Sequence, residues 1–170
     1  MERPQFAGVV LVAIVVLAAV AGQAATTNIH VVNSGGSVPL CVKYWVPQQH
    51  VGGGCRELRP GQAWDIRASE TWEGATMWAL RGGCGGEACH TGPPNGVTQF
   101  QFTLNGFEGR DYYDLSIAAG FNMALAIKPT NAACTALSCL NVLHGSACQA
   151  GATKTCTHGS TDYNVNFSIA

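Results

Sequence analysis

The sequence predicts an all-β fold, either a sandwich or a barrel, in a small protein held together by disulfides. Three observations carry this prediction. Short stretches of β-branched and aromatic residues recur with glycine or proline between them, long helical periodicity is absent, and all eight cysteines lie after residue 40. Many short strands separated by turn residues are typical of these two architectures.

The first segment of the chain, residues 1–24, has the composition of a signal peptide. Its almost wholly apolar run, residues 6–21, is too short to favour a membrane span. Gly22 and Ala24 are small residues at the −3 and −1 positions of a cleavage site after residue 24. We therefore expect an extracellular, secreted protein without stable membrane insertion, whose single domain is residues 25–170. The alternative is an uncleaved signal anchor.

Eight segments of the mature chain have the character of strands. The clearest is residues 97–104, in which apolar side chains alternate with Gln99, Gln101 and Thr103. This period of two predicts that one face meets the core and the other meets solvent or a cleft. The remaining segments are residues 28–33, 41–46, 63–67, 76–80, 112–117, 123–128 and 163–167.

Only residues 135–143 suggest a helix. Leu137, Leu140 and Leu143 recur at a spacing of three, and Cys139 lies among them. The pattern predicts one or two helical turns held by a disulfide.

The charges and cysteines narrow the range of functions. The formal net charge is −1 and no basic stripe is present, which argues against nucleic acid as a partner. Cys84, Cys89 and His90 are spaced so that they can form a metal site, but thiols in an oxidising compartment are usually consumed by disulfides. We expect no metal or cofactor, and four disulfides for which spacing alone leaves 105 pairings.

Motifs in a fixed order across the mature chain resemble the thaumatin-like, pathogenesis-related protein family. This resemblance implies a two-sheet antiparallel β-sandwich with disulfide-stapled loops, in a small form that lacks most of the family's loop domain. The matching segments are residues 25–33, 53–58, 60–64, 78–84, 89–92, 102–105, 111–116, 120–123 and 160–167.

The resemblance also implies a set of disulfides. The pairs that it carries over are Cys84–Cys89, Cys134–Cys156 and Cys139–Cys148. Cys41 and Cys55 have no family counterpart and are left to each other. The family's disulfide between the first and last strands is missing, because Gly35 and Ser168 stand at the matching places.

Antifungal members of the family have an acidic cleft lined by an arginine, a glutamate and three aspartates. Arg81 matches the arginine and Asp114 the first aspartate, whereas Gln101 and Ala119 replace two of the acidic residues. The third aspartate falls in the missing segment. Glutamine neither ionises nor transfers protons. We expect Arg81 to favour the ionised form of Asp114; alternatively, the two form a plain surface ion pair.

The resemblance implies a monomeric defence protein, in plants a protein of the apoplast, that is antifungal and binds a cell-wall glycan or a pathogen protein without catalysis. The alternatives are a glycoside hydrolase acting on β-1,3-glucan and an inhibitor of a digestive enzyme. Tyr112, Tyr113 and Trp64 can stack on sugars or belong to the core. The triplet that begins at Asn166 is an N-glycosylation acceptor, although it lies in a predicted strand.

Overall fold

Two β-sheets packed face to face account for most of the residues that the computed structural model describes, which are 26–48, 51–69, 71–86, 88–141 and 148–169. The predicted signal peptide lies outside this part of the chain. The strands are β1 (Thr27–Asn33), β2 (Leu40–Trp45), β3 (Gly53–Leu58), β4 (Ala63–Ala68), β5 (Trp72–Arg81), β6 (Gln99–Leu104), β7 (Arg110–Ser116), β8 (Ala124–Pro129), β9 (Leu137–Cys139), β10 (Lys154–Thr157) and β11 (Tyr163–Ser168). A 3-10 turn, Phe107–Gly109, lies between β6 and β7.

Sheet A has the strand order β4-β1-β11-β8-β9, and sheet B has the order β10-β7-β6-β5-β2-β3. Neighbouring strands are antiparallel except for β1 and β11, which run parallel and bring the two ends of the domain side by side. The expectation of a two-sheet, mainly antiparallel sandwich is confirmed. Within the described residues, no helix has the length and apolar character needed to cross a membrane.

The core lies between the sheets and is built from the apolar residues that recur at every second position along the strands. Phe100 stacks on Phe102 at 4.4 Å between ring centroids, and Tyr163 of sheet A packs edge-on against Tyr113 of sheet B at 5.4 Å. The side chains of Tyr113, Tyr163 and Phe100 are almost wholly buried. Aromatic pairs of this kind add about 0.5–1.5 kcal/mol beyond the burial of their area, and the Tyr113–Tyr163 pair joins the two sheets.

The other face of sheet B carries the residues that alternate with this core. A loop after β5, residues 82–96, covers part of that face. Beneath it Lys43 and Trp78 are 3% and 0% exposed, although neither belongs to the core between the sheets. The Lys43 ammonium lies 5.8 Å from the centre of the Trp78 ring, which is within the range of a cation–π contact.

Two disulfides hold this loop against sheet B, and they correct the sequence prediction. The structure joins Cys41 to Cys84 and Cys55 to Cys89, so the expected pairs Cys41–Cys55 and Cys84–Cys89 are wrong. The reason is tertiary: the loop folds back over β2 and β3, which brings its two cysteines to theirs. The other bridges, Cys134–Cys156 and Cys139–Cys148, join the residues carried over from the family.

The helix predicted at residues 135–143 is also wrong where the structure describes that segment. Residues 137–139 instead form β9, an edge strand that pairs with β8. Leu137 and Cys139 are buried, whereas Leu140 is exposed. Residues 137–139 therefore follow the period of two of a strand and not the leucine spacing of three that suggested a helix. The reason is that the edge of sheet A offers unpaired backbone groups and an apolar face. Leu143 lies outside the described residues.

Gly35 and Ser168 lie next to each other at the ends of the parallel pair β1–β11. A Cβ atom on Gly35 would lie 2.8 Å from that of Ser168, and the amide of Ser34 donates to the carbonyl of Phe167. Disulfides need about 3.5–4.5 Å between Cβ atoms, so a shift of roughly 1 Å would admit one.

We predict that the double variant Gly35→Cys with Ser168→Cys forms a fifth disulfide. Cross-linking the two ends of the domain restricts the unfolded chain, and the free energy of unfolding should rise by about 3–5 kcal/mol, less any strain from the shift. Urea unfolding with thiol titration measures both effects. The single variant Ser168→Cys is the control and should show one free thiol and no gain. If the double variant keeps two free thiols, residues 35 and 168 do not lie as close together as the structure shows.

Candidate functional site

A groove with a largely polar lining crosses the outer face of sheet B. Its volume is about 350 Å³. It crosses β5, β6 and β7 and ends at the residue before β10. We call it the sheet-B groove; the side chains that characterise it are those of Thr76, Gln101, Thr103, Tyr112, Asp114 and Thr153.

Strand register places four of these residues in one row. Thr76 is the partner of Gln101, and Gln101 is the partner of Asp114. Thr153 completes the row, because the next residue, Lys154, pairs with the neighbour of Asp114. Strands lie about 4.8 Å apart, so the row is roughly 14 Å long. A polar strip of this length can contact several units of an extended ligand.

Hydrogen bonds within the groove leave acceptors free. The Gln101 side-chain amide donates to Oε1 of Gln99 at 2.8 Å, which leaves its own carbonyl oxygen available. The Thr153 hydroxyl lies 3.5 Å from Oδ2 of Asp114. Oδ1 of Asp114 is buried and has no hydrogen-bond partner within the described structure. Such an orphaned acceptor costs about 1–3 kcal/mol unless a ligand or water satisfies it.

Burial raises the pKa of Asp114 above its ordinary value, and the contact with the Thr153 hydroxyl lowers it only in part. This is opposite to the sequence expectation, in which Arg81 favoured the ionised carboxylate. Within the described residues, Arg81 and Asp114 form no ion pair. Removal from water, which disfavours the charged form, therefore dominates at this carboxyl group.

Arg81 and Ala119 do not line the groove, whereas Gln101 and Asp114 do. Arg81 is exposed at the end of β5, five residues beyond Thr76, which is about 17 Å along a strand. Ala119 lies in the turn after β7, where its carbonyl accepts from the amide of Gly96. Of the four cleft residues predicted from the sequence, the structure thus places two, Gln101 and Asp114, in the groove.

The three aromatic residues considered for stacking on sugars lie in different surroundings. Tyr113 points into the core, and Trp64 packs against the core from β4 with Arg56 over its ring. Tyr112 lies in the groove. The alternation in residues 97–104 predicted the polar face of β6. Nothing in the sequence indicated Thr153, because neither β10 nor its pairing with β7 was predicted.

Comparison with known proteins decides the family. The sequence model of the Thaumatin family matches residues 41–163, which is well over half of the chain. The chain belongs to the thaumatin family.

Two thaumatin-family relatives illustrate the similarity. A pathogenesis-related thaumatin-like protein 3.7 from Cryptomeria japonica is 34% identical over 132 residues, which are 65% of this chain and 56% of that protein. Zeamatin from Zea mays is 36% identical over 131 residues, 68% of this chain and 54% of the relative. The chain therefore spans little more than half the length of these relatives.

Solved structures confirm the thaumatin-like fold. A thaumatin-like xylanase inhibitor superimposes with a TM-score of 0.60 at 18% identity, covering 82% of this chain and 97% of the inhibitor. A protein elicitor from Magnaporthe oryzae superimposes with a TM-score of 0.58 at 14% identity, covering 83% and 98%. At these identities the likeness concerns the fold alone.

Other chemistry in this thaumatin-family domain is limited. In the described residues, the one group of potential metal ligands that lie close together is Cys41, Cys55 and Cys84, and all three are in disulfides. Disulfide sulfurs are not the thiolates that zinc requires. Asn166 is half-buried on the outer face of sheet A between Val32 and Ala126, and its glycosylation stays a prediction.

We predict that Asp114→Asn stabilises the protein more at pH 7 than at pH 3. A carboxyl group with a raised folded pKa is neutral in both states below its unfolded pKa, near 3.9, and costs stability as the pH rises through the folded value. Asparagine cannot ionise, so the variant escapes that cost. Urea midpoints at the two pH values measure it. An equal change at both would show that burial does not govern this carboxyl group.

Proposed function

We propose that this thaumatin-family protein is a secreted, non-catalytic defence protein that binds a neutral glycan chain in the sheet-B groove. The observation that carries the proposal is the row of four polar side chains, Thr76, Gln101, Asp114 and Thr153, that lines the groove. Secretion is supported by the segment of residues 1–24 and by disulfides involving all eight cysteines.

Sugar hydroxyl groups match the chemistry of this row. Each can donate to an oxygen such as Asp114 Oδ2 or the Gln101 carbonyl while accepting from a threonine hydroxyl. Burial disfavours the charged form of Asp114, and no second carboxyl group is among the lining residues. This favours a neutral glycan over a cationic partner.

Hydrolysis needs more than the groove offers. A glycoside hydrolase uses two carboxyl groups, one as acid and one as base or nucleophile. Among the lining residues, Asp114 is the one carboxylate, and Gln101 stands opposite it. This arrangement favours binding over the β-1,3-glucanase activity considered from the sequence.

An inhibitor of a polysaccharide-degrading enzyme is the second candidate. The observation that favours it is the loop of residues 82–96, whose two disulfides anchor it to β2 and β3. A loop already rigid before binding loses less entropy in a complex. The similarity of the fold to a xylanase inhibitor makes this candidate worth testing beside glycan binding.

We predict that Asp114→Ala weakens glycan binding about tenfold, equivalent to about 1.4 kcal/mol. The probes are laminarihexaose, xylohexaose and chitohexaose, measured by calorimetry on the oxidised protein. Asp65→Ala is the matched control, since Asp65 is an exposed carboxylate on sheet A that contacts His30. If the Asp114 variant binds the probes as tightly as the wild type, the glycan-binding site does not include Asp114. Inhibition of a xylanase without binding of any probe would favour the second candidate.

We predict that Gln101→Glu converts the groove into an acidic one. The new carboxylate would face Asp114 across two strands, with Cβ atoms about 4.5–5.5 Å apart, and like charge would raise the pKa of Asp114 further. The variant should bind a cationic peptide more tightly than the wild type in low salt, where screening is weakest. Ala119→Asp adds the same charge outside the groove and serves as control. Equal gains in both variants would count against a specific groove effect.

A further inference from the structure

Phe107 is the most exposed large apolar side chain in the described part of the chain. It is 76% exposed, compared with 54% for Leu140 and 37% for Val38. Single apolar residues are common on protein surfaces, so exposure alone assigns no role. The conformation and position of the segment that carries Phe107 are what distinguish it.

The segment is the tip of the β6–β7 connection, residues 105–109, and it is rigidly held. Asn105 and Glu108 both adopt the left-handed backbone conformation, with φ of 53° and 55°. Non-glycine residues adopt that conformation at a cost, which persists only where the surroundings impose it. The amide of Gly106 donates to the carbonyl of Arg110, and that of Gly109 donates to the carbonyl of Gly106.

A buried carboxylate anchors the base of this tip. Oδ1 of Asp111 accepts from the amide of Asn105 at 2.9 Å and lies 2.7 Å from Nδ1 of His158. Its other oxygen accepts from the hydroxyl of Tyr163 at 3.1 Å, and Asp111 is wholly buried. The tip is therefore fixed to the same network that joins β7 to β11, and Phe107 is presented without much freedom of its backbone.

The tip lies against two residues that line the sheet-B groove. A Cβ atom on Gly106 would lie 2.8 Å from Cγ2 of Thr103 and 3.3 Å from Cδ2 of Tyr112, both of which line the groove. The Tyr112 hydroxyl donates to the carbonyl of Phe107 at 3.2 Å. The tip thus packs beside Tyr112 and Thr103, along β7 from Asp114 and to one side of the polar row.

We propose that Phe107 is a stacking subsite that extends the groove, on which one sugar ring of a neutral oligosaccharide packs while another sugar binds the row at Asp114. This inference rests on the proposed glycan binding. The flat face of a pyranose carries C–H groups that pack on an aromatic ring, and a rigid aromatic side chain offers a large apolar area at little entropic cost.

The geometry sets a minimum length for the ligand. Tyr112 and Asp114 lie on the same face of β7, two residues and about 7 Å apart, and Phe107 lies beyond Tyr112. A ligand that contacts both Asp114 and Phe107 must reach past Tyr112, which a hexasaccharide does more readily than a disaccharide. The subsite therefore contributes to the affinity for long chains and not to that for short ones.

The test compares a hexasaccharide with the matching disaccharide on wild type, Phe107→Ala, Phe107→Trp and Asp114→Ala. The probes are laminarihexaose and laminaribiose, with the xylan and chitin series in parallel. Leu140→Ala is the control for loss of an exposed apolar side chain elsewhere. Circular dichroism and thermal midpoints verify that each variant is folded.

Phe107→Ala should weaken hexasaccharide binding about tenfold and leave disaccharide binding unchanged, and Phe107→Trp should restore the loss. Unchanged hexasaccharide affinity in Phe107→Ala, with affinity lost in Asp114→Ala, would overturn the subsite and leave the proposed function standing. No binding of any probe by the wild type would overturn both. Loss of xylanase inhibition in Phe107→Ala, with glycan binding intact, would assign Phe107 to a protein partner and overturn the subsite.

Discussion

In sheet B, the residues that fill the core decide which residues lie on the outer face, and the candidate site depends on that constraint. Phe100, Phe102 and Tyr113 must face sheet A, where they pack on one another and on Tyr163. Because side chains alternate along a strand, the residues between them are forced onto the outer face. Gln101 and Asp114 are therefore brought together by the requirements of the core, and a slip of one residue in register would bury both.

The disulfides decide how much of that outer face remains accessible. Cys41–Cys84 and Cys55–Cys89 hold the loop of residues 82–96 over β2, so that Lys43 and Trp78 are shielded from solvent. The open part of the face is left to β5, β6 and β7. The groove is thus a part of sheet B that the loop leaves uncovered, which explains why strands form its floor.

Electrostatics then distinguish this groove from an acidic cleft. A carboxylate in water keeps its charge cheaply, but partial burial of Asp114 disfavours the charged form. Arg81 lies too far along β5 to reverse this. Its cross-strand partner is a glutamine, so Asp114 is the one carboxyl group among the residues that line the groove. The arrangement suits recognition of hydroxyl groups and lacks the paired acid and base of a hydrolase.

The sequence by itself determined the all-β class, most strands and the polar face of β6, because a period of two is a local property of neighbouring residues. The ordered motifs also determined the family. Only the tertiary structure decided which cysteines meet, because Cys84 and Cys89 reach β2 and β3 through a loop whose path depends on packing. The strand at residues 137–139 likewise depends on the edge of β8, and the raised pKa of Asp114 depends on burial. These properties arise from contacts between segments distant in the chain, which local pattern does not specify.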